Sequence, residues 1–195
     1  MASLVRRVFE EGIESRRRFL EASAERIVEA AERLSHTLAE GGKVILFGNG
    51  GSAADAQHLA AEFVTRYRKE RRALPAIALT TDTSVLTSIG NDYGFEEIFS
   101  RQIEALGQKG DIAVAISTSG NSPNVLRGVE AARQRGMETI GLTGGDGGKL
   151  AGLVDLCLCV SETTATGRIQ EIHITIGHLL CELIEWRLFE VKNFR

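Results

Sequence analysis

After residue 42 this chain carries five short and nearly unbroken apolar runs: Lys43–Phe47, Pro75–Leu79, Ile112–Ile116, Thr139–Leu142 and Val154–Val160. A strand with one face in water alternates apolar with polar residues, and these runs do not. A segment of helix length separates most of them, so they are predicted to be the parallel strands of a sheet buried on both faces. The fold class that follows is α/β, a doubly wound five-stranded parallel sheet sandwiched by helices. The 195 residues, 43% of them hydrophobic, supply one full-sized core but hardly two, and no linker interrupts them. A single domain is therefore expected over 1–195, with a helical arm at 2–40 and the α/β sandwich at 43–190.

In the arm, Val5, Val8, Phe9, Ile13, Phe19, Leu20, Ile27, Val28, Ala31, Leu34 and Leu38 fall at helical spacing, which predicts one bent helix or two. Its charges, such as Glu10, Glu11, Glu14 and Arg16 to Arg18, read as a solvated face, although an arm of this kind often docks on another subunit. The net charge of −3 offers no broad basic surface to a nucleic acid, which points to a small-molecule substrate. No run is long enough to span a membrane and no targeting segment is visible, so a cytoplasmic location is expected. Reduced thiols fit that compartment; Cys157 and Cys159, two apart on a predicted strand, should share one face as small buried hydrophobes.

Ligands of such sheets gather outside the carboxyl ends of the strands, where Gly48–Ser52, Ser117–Ser122 and Thr143–Gly148 fall. Ser122-Pro123 reads as a helix N-cap followed by proline at the first helical position. Unpaired N–H groups at that end, with the hydroxyls of Ser117, Thr118, Ser119 and Ser122, make an anion cradle suited to a phosphate monoester. The alternative is that these serines only cap and turn the chain. Ser52, with Asp55 three residues on, is expected to cap a helix starting near Ala53. Gly48 to Ala53 also fits G-x-G-x-x-A, but Asp82 lies more than thirty residues beyond Gly48 instead of about twenty, and Lys149 is followed by Leu150 and not Ser or Thr. No nucleotide cofactor is expected.

Two helices each offer a metal-ligand or acid/base couple. His58 and Glu62 stand one turn apart on the first, a spacing that by itself describes a surface pair. On the last helix Gln170, Ile174, His178 and Cys181 form one stripe, while His173 points well away from His178 and reads as a packed or exposed histidine. Gly177 weakens that helix, a reason to expect a close approach there. The basic run Arg66, Arg68, Lys69, Arg71 and Arg72 reads as a solvated connector.

Several segments together resemble, almost end to end, the bacterial phosphoheptose isomerases of the sugar isomerase (SIS) domain superfamily. They are Gly48 to Ser52 with Asp55, His58 and Glu62; Asn91-Asp92-Tyr93-Gly94-Phe95; Ile116 to Ser122; and Arg168 to His173 with His178. The resemblance implies that Asn49, Gly50, Gly51, Ser52, Asn91, Asp92, Ser117, Thr118, Ser119 and Ser122 hold a sugar phosphate, with Glu62 and Gln170 also touching it. It implies one zinc ion per subunit on His58, Glu62, Gln170 and His178, with Glu62 and His178 as the acid/base pair, and a homotetramer with sites at subunit junctions. The implied reaction converts sedoheptulose 7-phosphate to D-glycero-D-manno-heptose 7-phosphate through an enediolate, the first step toward nucleotide-activated heptose. Glu62 suits removal of the proton beside the carbonyl and His178 the transfer between oxygens. Zinc on Glu62 would lower its basicity, a tension within that assignment. Gly167 stands where some relatives carry an aspartate, so no role of that acid is carried over. The competing readings are a non-catalytic SIS protein that binds the replication initiator, in which the positions of Glu62 and His178 are replaced, and an isomerase or sensor for another phosphosugar.

Overall fold

The structure, a computed structural model, describes residues 1–190. The arm is one continuous helix, α1 (Ala2–Ala39), and not two. The sandwich follows in the order β1 (Val44–Gly48), α2 (Gly51–Val64), β2 (Ala76–Ala78), α3 (Thr83–Asp92), α4 (Ser100–Leu106), β3 (Ile112–Ser117), α5 (Pro123–Gln134), β4 (Glu138–Gly144), α6 (Gly148–Ala151), β5 (Leu156–Val160) and α7 (Thr166–Phe189). All strands are parallel, in the spatial order β2-β1-β3-β4-β5.

The unbroken apolar runs mean what their pattern suggested. Val44 and Leu46 of β1, with Ile112, Val114 and Ile116 of β3, face the layer of α1, α2 and α7; Ile45 and Phe47, with Ala113 and Ala115, face α4 and α5. Small alanines on that second face leave room for Phe47 and Phe99, whose ring centroids are 5.2 Å apart. The outer strands are less enclosed because each has one neighbour. β2 is only three residues long with Ile77 37% exposed, and β5 alternates buried with half-buried positions. Cys157 and Cys159 take the half-buried positions, correcting the expectation that both would be buried. Burial, with Cys159 beside it, still pushes the Cys157 thiol up to about 11.

Two further expectations need correction. Helix α2 begins at Gly51 with Gly50 as its N-cap, so Ser52 is a helical residue, buried and packed under Gly48, and caps nothing. In the basic run, Arg71 is not solvated: its side chain is 2% exposed and its Nε lies 2.9 Å from Glu185 on α7. Arg66, Arg68 and Lys69 are exposed as expected.

Gly177 brings α7 onto α2. A Cβ there would stand 2.4 Å and 2.7 Å from the two Cδ atoms of Leu59, which is itself buried beside His58. Gly177→Ala should therefore destabilise despite alanine's advantage of about 1 kcal/mol within a helix, because overpacking costs about 1–3 kcal/mol. Denaturation midpoints should show the loss, and adding Leu59→Ala should cost less in the Gly177→Ala background than in the parent.

Candidate functional site

In the strand order 2-1-3-4-5 the crossover connections leave β1 and β3 toward opposite faces, opening a crevice at the carboxyl ends of these two strands. Gly48 pairs with Ile116 in this register, so the loops Gly48–Ser52 and Ser117–Ser122 lie side by side. They are joined by Asn49 and Asn124, which exchange two amide hydrogen bonds of 2.8 Å each. Asn124 is 2% exposed, so this bond fixes the first loop to the start of α5.

Ser122 is the N-cap of α5 with Pro123 first in the helix, as expected, but its hydroxyl does not cap: it lies 3.2 Å from the Ser117 hydroxyl. Two hydroxyls thus gather at the positive end of a twelve-residue helix, where an anion is favoured. Ser119 accepts the N–H of Asn121 at 3.2 Å, and Lys149 N donates to Asn121 Oδ1 at 3.1 Å, bracing the loop from α6. Beside it is a cleft of about 280 Å³ lined by Thr118, Ser119, Gly144, Gly145 and Asp146.

The second part of the site is where α2 meets α7. His58 Nε2 is 3.0 Å from His178 Nε2 and 3.3 Å from Glu62 Oε1, and the ligand atoms of the three all lie within 4.8 Å of one another. Spacing had placed His58 and Glu62 on one face; the fold brings His178 to them across 120 residues. Two imidazoles and a carboxylate form a donor set that suits zinc. Nitrogens facing at 3.0 Å are close enough to share a proton in a hydrogen bond, and only a small widening would let a cation bridge them. Asp55 lies one turn before His58, with Oδ2 buried and without a partner. Burial raises its carboxyl above the ordinary range, while His58 and His178 pull the other way.

Gln170 meets the first turn of α2, so closely that a Cβ on Gly51 would come 2.5 Å from its Nε2. That explains the glycine at 51. Asn91 and Asp92 are exposed at the end of α3 and bond to each other at 2.7 Å, and no hydrogen bond joins them to either loop. His173 is packed, fully buried, with Nε2 3.0 Å from the Thr143 carbonyl. Sequence reasoning missed Tyr67, whose ring stacks on His178 with centroids 5.5 Å apart at 23°. Its one trace in the sequence is an aromatic set between Arg66 and Arg68 in a stretch otherwise read as solvated.

The chain is similar to known proteins in both sequence and fold. The family model of the SIS domain matches residues 9–144. A phosphoheptose isomerase of Roseiflexus sp. (strain RS-1) is 58% identical over 181 residues, 93% of this chain and 91% of that protein. Among solved structures, a phosphoheptose isomerase from Neisseria gonorrhoeae is 48% identical with a TM-score of 0.90, covering 94% of this chain and 98% of that one. One from Francisella tularensis is 41% identical with the same TM-score of 0.90 and the same coverage, 94% and 98%.

Proposed function

The chain belongs to the phosphoheptose isomerases of the SIS-domain family, and from this we propose that it interconverts sedoheptulose 7-phosphate and D-glycero-D-manno-heptose 7-phosphate. The observation that carries the reading is the meeting of Glu62 with His58 and His178 on two helices that flank the crevice of an anion cradle. A carboxylate and an imidazole so close together supply what an aldose–ketose isomerisation needs. Glu62 takes the proton from the carbon beside the carbonyl and returns it to the neighbouring carbon; His178 moves the proton between the two oxygens. Ser117, Thr118, Ser119 and Ser122, with the N-terminus of α5, hold the phosphate, and this remote binding energy fixes the reacting carbons. Asn49, Gly50 and Gly51 present the facing loop, while Asn91 and Asp92 are proposed to reach the sugar from the end of α3.

The trio fits zinc: His58, Glu62 and His178 would hold the ion, Gln170 is proposed as a fourth ligand, and zinc there would polarise the substrate oxygens.

A homotetramer with sites at subunit junctions is supported by apolar surface on α1, where Leu4, Val5, Phe9 and Ile13 are 51%, 64%, 67% and 57% exposed. The His58 side chain is 47% exposed in one chain, and a neighbouring subunit closing over it would exclude water. No described helix is long and apolar enough to cross a membrane, and a cytoplasmic location fits the three free thiols.

Sedoheptulose 7-phosphate incubated with the protein in deuterated water should yield the aldose with deuterium at C2 by NMR. Absence of product and of exchange, with zinc supplied, would overturn the isomerase reading in favour of a binding protein.

A further inference from the structure

Glu185 lies two turns beyond His178 on α7, with its side chain 3% exposed. It accepts the backbone N–H groups of Tyr67 at 2.9 Å, Arg68 at 3.0 Å and Lys69 at 3.0 Å, and the Nε–H of Arg71 at 2.9 Å. Burial alone would raise its carboxyl; the four donors outweigh burial and hold it below the ordinary range. Arg71 turns its other donors back on α2, from Nη1 to the Phe63 carbonyl at 2.9 Å and from Nη2 to the Glu62 carbonyl at 2.8 Å. These are among the carbonyls that a helix leaves without partners at its C-terminus. From the same connector, Tyr67 lays its ring on the imidazole of His178.

One buried carboxylate therefore grips the site twice. Through Arg71 it fixes the backbone of Glu62, and through the Tyr67 N–H it fixes the ring that backs His178. A buried ion pair adds little stability over a well-packed apolar pair, so its worth lies in geometry that only directional bonds impose. We infer that Glu185, acting through Arg71 and Tyr67, is a positioning residue that holds His178 in register with Glu62. The inference builds on the isomerase reading above, but it concerns the geometry of the trio and can be read without substrate.

The test compares Tyr67→Ala, Tyr67→Phe and Glu185→Gln with the full-length parent. Zinc affinity is measured by competition with a chromophoric chelator, alongside kcat, KM and thermal unfolding. Groups that orient metal ligands typically change affinity by about 10–100-fold. Tyr67→Ala should bind zinc about 10-fold or more weakly and lose kcat by a similar factor with KM nearly unchanged, while Tyr67→Phe, which keeps the stacked ring, stays at parental values. Glu185→Gln should follow Tyr67→Ala, and the double variant should lose less than the product of the two single losses. Should Glu185→Gln not fold, Tyr67→Ala against Tyr67→Phe decides. An inactive parent whose zinc affinity still falls in Tyr67→Ala overturns the isomerase reading and supports the positioning role. An active parent with Tyr67→Ala parental in both affinity and kcat, or with Tyr67→Phe as impaired as Tyr67→Ala, overturns the positioning role.

Discussion

Replacing Glu62 with glutamine is expected to lower kcat by about 10²–10⁴-fold, the range typical of losing a positioned general base. The amide keeps the shape of the side chain and the space it fills but cannot accept a proton at neutral pH. The Glu62 side chain is 24% exposed and its partner is His58 at 3.3 Å, so little stability rests on it and the unfolding midpoint should hardly move. KM should change far less than kcat, because the phosphate cradle on β3 and α5 is untouched. Glutamine is also a poorer zinc ligand than carboxylate, and His58→Ala separates the two effects by removing a donor without removing the base. Deuterium uptake at C2 is the deciding measurement. Uptake retained in His58→Ala but lost in Glu62→Gln marks Glu62 as the base; if excess zinc restores uptake in Glu62→Gln, Glu62 serves as a ligand and the proton is moved by another group.

The fold was legible where two neighbours enclose a strand and less so where only one does. β1 and β3 are buried along their whole length, and unbroken runs such as Val44 to Phe47 have few other uses. Edge strands β2 and β5 were found by the same pattern, but their exposure depends on which strands pair, and a linear pattern carries no sign of that. The candidate site divides similarly. His58 and Glu62 follow from helical geometry, and Ser122-Pro123 from the chemistry of helix starts. The meeting with His178 does not, because α2 and α7 approach through Leu59 and Gly177, a contact visible only once both helices are packed. Arg71 shows the limit most clearly. Five cations stand within seven residues, and the one that turns inward is chosen by Glu185, more than a hundred residues away. Composition describes the run as solvated and is right for its neighbours Arg68 and Lys69. Ser52 departs from its expected cap position for a local reason: a glycine pair ahead of it lets α2 start earlier, which places the serine in the first turn.

Acid should destabilise this protein through His173, a residue that takes no part in the proposed chemistry. The ring is fully buried where α7 crosses the end of β4, with Nε2 against the Thr143 carbonyl and Nδ1 without a partner. A second proton would place a charged N–H at Nδ1 with nothing to accept it, so burial pushes the imidazole down from 6.5 to about 4, against the opposing pull of the Thr143 carbonyl. The unfolded chain takes up that proton below about 6.5 and the folded chain only below about 4, so the unfolded state binds more protons throughout this window. Stability is thus complete above 6.5, falls as the pH drops toward 4 and levels off below it. At 1.36 kcal/mol per pH unit, the loss is about 3 kcal/mol, or roughly 6–12 °C in Tm for a chain of this size. Carboxylates titrate over part of the same range, so the measurement is a comparison of Tm against pH in the parent and in His173→Gln. Glutamine can donate to the Thr143 carbonyl without titrating. The variant should lack this part of the acid sensitivity and show a shallower decline between pH 6.5 and 4. Parallel profiles would mean that His173 is already charged in the folded protein at mild acidity, and that water or a shifted side chain reaches Nδ1.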